Sequence, residues 1–307
     1  MTLARLSGVS PREKVRLCSI FDSEDGLAGK SAGEIEAVLG RRLSKPWNLD
    51  EARALAERDE RAAKLRGIGW VSWRNPSYPP LLREIYDPPV VLFFRGRLPD
   101  AERPLAAVVG TRRPSPQAAA QAFSVSRDLA AGGVSVVSGL ALGVDAMAHR
   151  GCVEGGLPTF AVLGSAVDEV YPASNRQLAR SVISSGGALI SEYPPGSPPR
   201  KWNFPARNRI VSGLSRGVLI VQAPEKSGAL ITARFALEQN RELWVASCGA
   251  GETGGPDSVG TARLAEQGAE VVYSASDILG MWDMKAEGGE SGEDPASMLA
   301  RSLGITL

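Results

Sequence analysis

The stretch Ala106-Ala107-Val108-Val109-Gly110-Thr111-Arg112-Arg113-Pro114-Ser115-Pro116, followed by Val134-Ser135-Val136-Val137-Ser138-Gly139-Leu140-Ala141-Leu142-Gly143-Val144-Asp145, decides the fold. Each half is a short unbroken apolar run, then a glycine-bearing loop, then the start of a helix-compatible segment. A continuous apolar run, without polar alternation, predicts a strand buried on both faces. The same unit repeats outward. Runs at 159–163, 188–191, 218–221, 243–246 and 271–273 predict further strands, and 116–131, 144–154, 174–185, 229–240 and 259–267 predict helices. This alternation predicts an α/β protein with an extended Rossmann-like, doubly wound, mostly parallel sheet and right-handed crossovers.

Three zones flank and contain that pattern. Residues 1–67, rich in Ala, Leu, Arg and Glu and punctuated by glycines, predict a small helical domain. Residues 68–283 form the Rossmann-like domain, entered through short strands at 69–73 and 90–94. Residues 284–307 are acidic and glycine-rich around Glu287–Asp294, and are expected to be disordered.

The net charge is +1, so a polyanion would have to meet a local basic patch rather than a global field. The three cysteines, Cys18, Cys152 and Cys248, form no CxxC pair, and His149 is the single histidine. No disulfide framework, zinc site, metal or cofactor is expected from this set. No signal-like or membrane-spanning segment is visible, which predicts a soluble, cytoplasmic protein.

In an open parallel sheet, ligands bind beyond the carboxyl ends of the strands. Gly110-Thr111-Arg112 lies at such an end, with a helix expected from Pro116. Either it cradles an anion at a helix N-terminus, with Arg112 on a phosphate or base, or it is an ordinary turn with solvated arginines. Ser138-Gly139 and Gly143 offer a second cradle. It is not GxGxxG, and the next strand lacks the ribose-binding acid, which disfavours a dehydrogenase. Asp145 and His149 share a helix face; a loop-fixing role is favoured over a catalytic or metal pair.

The segment Arg200–Arg216 has five basic residues and no acidic one, with Trp202 and Phe204 interleaved. Guanidinium groups can follow phosphates while aromatics stack on unpaired bases. A solvated basic helix edge, or arginines held by internal carboxylates, is the alternative. Ser227, an N-cap candidate, with Gly228 and Thr232, closes the set.

These loops resemble the DNA-processing protein A (DprA/Smf) family of bacteria. The resemblance rests on Val109-Gly110-Thr111-Arg112 with Pro114-Ser115, Ser138–Asp145 with Ala148-His149, Ala161–Gly164, Tyr171-Pro172, Ser191-Glu192-Tyr193, Phe204–Ile210 and Ser227–Ala233, in order across about 75–280. It implies a Rossmann domain that binds single-stranded DNA, forms a homodimer and delivers the recombinase RecA in natural transformation, with no established catalysis. It also implies a sterile-alpha-motif-like N-terminal domain.

Carried over by motif, Arg112 is the main DNA-contacting arginine and Phe204–Arg209 the wall of its pocket. The expected DNA-binding set is Gly110, Thr111, Arg112, Ser138, Gly139, Arg176, Phe204, Arg207, Asn208 and Arg209. The supporting set is Gly143, Asp145, His149, Ser227, Gly228 and Thr232.

The sequence departs from the family in several places. A lysine that many members carry after Tyr-Pro is Ala173 here, so either Arg176 substitutes or affinity is lower. An acidic residue after the fifth strand is Gln222, and Pro-Gly after the sixth is Cys248-Gly249. The residues after Trp282 are expected to be too few for a winged helix. Two other function classes remain open: a phosphoribohydrolase-type nucleotide enzyme, whose PGGxGTxxE motif is missing, and a protein-interaction scaffold with a decayed DNA site.

Overall fold

The computed structural model describes residues 1–21, 23 and 25–284, with the backbone alone for 252–254. The expected disordered tail, apart from Met284, lies outside the described residues.

The strands are β1 (Gly69–Ser72), β2 (Val91–Gly96), β3 (Leu105–Val109), β4 (Ser135–Ser138), β5 (Thr159–Val162), β6 (Ala188–Ser191), β7 (Gly217–Ile220), β8 (Glu242–Ala246) and β9 (Glu270–Val272). They form one sheet in the order β1-β2-β6-β5-β4-β3-β7-β8-β9. From β6 to β9 every neighbouring pair is parallel, whereas β1 on β2 and β2 on β6 are antiparallel. The chain steps outward from β3 through β4 and β5 to β6, then returns to lay β7 on the other side of β3. The order therefore reverses between β3 and β7, where a doubly wound sheet opens a crevice.

Strand β3 shows why unbroken apolar runs were required. Ala106 and Val108 face one layer, with Ala122, Val125 and Leu129 of helix Pro116–Ala131 and Ala148 of helix Val144–Glu154. Leu105, Ala107 and Val109 face the other, with Ile210, Val211 and Leu214 of helix Asn203–Leu214 and Ala229, Ala233 and Ala236 of helix Gly228–Glu238. Both faces of the strand are dry, so polar alternation would have buried unpaired groups.

Helix Asn203–Leu214 occupies most of the basic-aromatic stretch. Pro205 falls in its first turn, where the missing N–H has no intrahelical partner to lose.

Residues 1–67 are helical. Helices Pro11–Ile20 and Ala32–Leu39 each start with a capping box, Ser10 with Glu13 and Ser31 with Glu34. Asn48 caps helix Leu49–Leu65. Leu17, Leu27, Ile35 and Ala52 build a core of their own. Met1, Ala4 and Ala63 pack instead with Phe93, Leu140 and Leu163 of the sheet layer. Arg66 also pairs with Asp168 beyond β5, so this zone is tied to the loops at the carboxyl end of the sheet.

Candidate functional site

Three loops meet at the crevice. The β3 loop is held from both sides: Thr111 N–H donates to the Gln222 carbonyl (2.7 Å), and Val144 N–H donates to the Thr111 carbonyl (3.2 Å). Ser115 caps helix Pro116–Ala131, and its own N–H donates to Gln222 Oε1 (2.9 Å). Gln222 Nε2 then donates to Ser258 Oγ (3.0 Å). Gln222, where an acid was the family expectation, is thus a neutral tie between the β3, β7 and β8 loops. A loop fixed at these points leaves Arg112 free to project, and its guanidinium stands 5.9 Å from the centroid of Phe204.

The β4 loop is organised around a buried carboxylate. Asp145 Oδ2 accepts the N–H groups of Gly139 (3.1 Å) and Ala141 (3.3 Å). Gly143 has φ +77°, and a Cβ there would lie 2.4 Å from the Thr111 carbonyl oxygen. Only glycine suits both demands. Arg207 Nη2 donates to the Gly139 carbonyl at 2.8 Å and stands 3.9 Å from Asp145 Oδ2. A Cβ on Gly139 would lie 1.8 Å from that guanidinium, so the missing side chain is the slot for Arg207. Burial pushes the Asp145 carboxyl up, against the opposing pull of Arg207 and the backbone N–H groups. Burial likewise moves Arg207 below the usual arginine range, with Asp145 opposing. Arg207 Nε has no hydrogen-bond partner.

The third wall is aromatic. Phe204 packs over Gly164, and Asn203 Nδ2 anchors its helix to the Gly164 carbonyl at 2.9 Å. Tyr171 meets Phe204 at 5.4 Å between centroids, tilted by 48°. Asn175 Nδ2 donates to the Leu140 carbonyl (2.9 Å), which ties the Tyr171 segment to the β4 loop. Arg112, Gly139, Ala141, Leu142, Tyr171, Pro172, Phe204 and Arg207 together line one concavity. It combines two guanidinium groups with two rings and has no acidic side chain in its lining.

Four expected residues, Arg112, Gly139, Phe204 and Arg207, are therefore brought together. Gly110 and Thr111 support them through the loop backbone. Arg176 is exposed at the start of its helix, next to Asn175.

Three others do not face the concavity. Ser138 donates its hydroxyl to the Val108 carbonyl (2.7 Å) inside the sheet. Asn208 Nδ2 donates to the Gly228 carbonyl (3.0 Å), joining two helices. Arg209 donates both Nη groups to Glu192 at 2.7 Å and its Nε to the Asp87 carbonyl at 3.2 Å, with the Asp87 carboxylate 3.0 Å from that Nε. These carboxylates hold it well above the usual arginine range in spite of burial. Arg209 is thus a structural ion-pair centre, which corrects its expected role at the pocket.

Among the supporting set, Gly143 and Asp145 shape the cradle as described. Thr159 Oγ1 donates to the Val136 carbonyl (2.8 Å), so it accepts from His149 Nδ1 (2.8 Å). Burial drives His149 down to about 3, which keeps it neutral. Ser227 caps the helix that starts at Gly228, and Thr232 is buried within that helix. Tyr171 and Leu142 were not among the expected site residues. Tyr171-Pro172 follows a predicted strand at the same end of the sheet, and that position was the available signal.

Among the described residues, no group of three or more His, Cys, Asp or Glu could hold a metal ion, and no helix is long and apolar enough to cross a membrane.

The family model described as DNA recombination-mediator protein A matches residues 70–283. Protein Smf of Synechocystis is 40% identical over 252 residues, 80% of this chain and 59% of that relative. The chain therefore spans less than two thirds of the Synechocystis protein. DNA processing protein DprA of Bacillus subtilis is 39% identical over 71% of this chain and 72% of its own. The X-ray structure of DNA processing protein A from Streptococcus pneumoniae superposes with a TM-score of 0.76 at 32% identity, over 91% of this chain and 95% of that one. DNA processing protein A of Helicobacter pylori, described for its single-stranded DNA binding mode, gives 0.61 at 29% identity, over 71% and 97%. With a family model covering most of its length and relatives near 40% identity, this chain belongs to the DNA recombination-mediator protein A family, the DprA/Smf proteins.

Proposed function

We propose that this protein binds single-stranded DNA in the Arg112–Phe204–Arg207 concavity and acts as a non-catalytic carrier. In this reading the rings of Phe204 and Tyr171 receive an unstacked base, Arg112 receives phosphate oxygens, and the Arg207 guanidinium supplies positive charge from the lining of the cleft. The observation that carries it is the buried guanidinium of Arg207, left with one carbonyl bond and a 3.9 Å carboxylate while lining an aromatic-walled cleft. A duplex presents no free base face to such a wall, whereas a single strand does. The same proposal includes delivery of RecA recombinase to the bound strand during natural transformation, a homodimer as the working form, and the cytoplasm as its place. It also keeps the division into residues 1–67, 68–283 and 284–307.

The test is a salt titration of binding to single- and double-stranded oligonucleotides. Affinity for the single strand should be the higher and should fall with salt, with a slope of about −0.7 per neutralised phosphate. Arg112→Ala should lower affinity about tenfold and reduce that slope by roughly one phosphate. Its melting temperature should stay at the wild-type value, because Arg112 carries no structural hydrogen bond like that of Arg207. Equal affinity for the two DNA forms, or an unchanged Arg112→Ala, defeats the reading. RecA delivery is tested separately, by whether the protein speeds RecA filament growth on single-stranded DNA.

A further inference from the structure

The sequence offers two aromatics two positions apart, and the structure gives them different fates. Phe204 is half-buried against Gly164, Tyr171 and Arg112. Trp202 is 66% exposed. It lies outside the residues that line the concavity. An indole left so open sacrifices apolar burial that a surface polar residue would not.

The backbone beneath it is nonetheless fixed. Asn203 N–H donates to the Arg200 carbonyl at 2.9 Å, closing a tight turn. The buried Asn203 side chain anchors that turn to Gly164. The turn lays the Arg200 guanidinium 5.5 Å from the Trp202 ring centroid. Lys201, exposed between them, adds a second cation. An arginine over one part of an indole, with the rest open and the backbone rigid, is a preorganised stacking platform.

We infer that Arg200 and Trp202 form a second stacking station, which takes the nucleotide next to the one received at Phe204. This rests on the single-strand reading above and extends it from one pocket to a two-station track. The spacing permits it: across two trans peptides the Cα atoms of Trp202 and Phe204 are at most about 7.6 Å apart. Trp202 is in the αR conformation at the helix start, which brings that separation to about 5.4 Å, close enough for the two rings to take neighbouring bases at a rise of about 3.4 Å or somewhat more when splayed. The charge beside the ring selects a polyanion over a protein partner, because Arg200 and Lys201 are both exposed there and residues 200–216 contain no carboxylate. Arg200 and Lys201 stand where the phosphates flanking the second base would run.

The experiment uses the full chain and labelled oligothymidine of about 20 nucleotides, with wild type, Trp202→Ala, Trp202→Phe and Arg112→Ala compared by anisotropy and by intrinsic tryptophan fluorescence. Trp202→Ala is expected to weaken binding about 5- to 100-fold, the range of one lost base stack, and Trp202→Phe to retain most of the affinity. DNA should quench wild-type fluorescence, and the quench should be largely absent in Trp202→Phe. An abasic site scanned along a short oligonucleotide should cost affinity at two adjacent positions in wild type and at one in Trp202→Ala. The inference is overturned if Trp202→Ala binds within twofold of wild type, or if the quench is the same in wild type and Trp202→Phe, while Arg112→Ala shows its expected weakening of about tenfold. If wild type itself fails to bind, or Arg112→Ala binds normally, it is the pocket reading that falls.

Discussion

Arg207 and Arg209 sit two residues apart on one helix, at 5% and 4% exposure, in very different surroundings. Two helical positions are about 200° of rotation, so the side chains leave the helix on opposite sides. Arg209 enters the layer between β6 and the β2 approach, where Glu192 and Asp87 satisfy its fork. Arg207 turns to the β4 loop and finds one carbonyl and a distant carboxylate. Equal burial thus yields a saturated cation in one place and an unsaturated one in the other. The number of carboxylates within reach, not the density of arginines, decides which guanidinium is left with unfilled donors.

The largest effect expected from breaking this contrast is on stability. Arg209→Met strands Glu192 and Asp87 without their shared cation, which should cost about 3–5 kcal/mol in urea unfolding. Adding Glu192→Gln should return part of that loss. Arg207→Met strands one carboxylate, Asp145, which keeps the N–H groups of Gly139 and Ala141, and should cost less; if the two variants are equally destabilised, the distinction between the sites disappears. Next in size is Gly139→Ala. The new methyl would occupy the guanidinium slot, displacing Arg207 and its carbonyl bond. A loss of about 1–3 kcal/mol is expected, with single-strand affinity falling about tenfold. Retained affinity in a folded Gly139→Ala would show that Arg207 does not contact the strand.

How much of this could be read beforehand follows from the range of the interactions. Strand β6 falls on the predicted run, and β3, β4, β5, β7, β8 and β9 shift by about a residue, because burial on both faces is written locally in unbroken apolar runs. Gly139, Arg112, Phe204 and Arg207 were legible as strand-end and basic-aromatic residues. Arg209 was misplaced because its partners come from Glu192 and Asp87, 17 and 122 residues away. A composition reading sees the cation and not the carboxylates that neutralise it. Helix Asn203–Leu214 was obscured by Pro205 and by polar residues on its buried side, including Asn203, Arg207, Asn208 and Arg209. Hydrophobic periodicity fails where a helix buries its charges.

The smallest effect tests the contrast from its solvated extreme. Glu13 and Arg41 form the same two-pronged contact as Glu192 and Arg209, but at the surface of the N-terminal zone. The Arg41 hydrogen bonds hold the Glu13 carboxyl at about 2, down from 4.5, with partial desolvation opposing them. A depressed acid contributes stability above its unfolded value, and that stability fades as pH falls through the folded value. The window therefore runs from about 4.5 down to about 2. Glutamine also serves at this capping position, so Glu13→Gln removes the charge while keeping the box. In water such a pair is worth below about 1 kcal/mol, so the variant should lose no more than that at pH 6. The difference from wild type should narrow as the pH approaches 2, measured by urea unfolding across the window. Parallel curves would mean that Arg41 gives Glu13 nothing. A loss as large as that of Arg209→Met would mean that fork geometry, rather than burial and carboxylate count, sets the strength of these pairs.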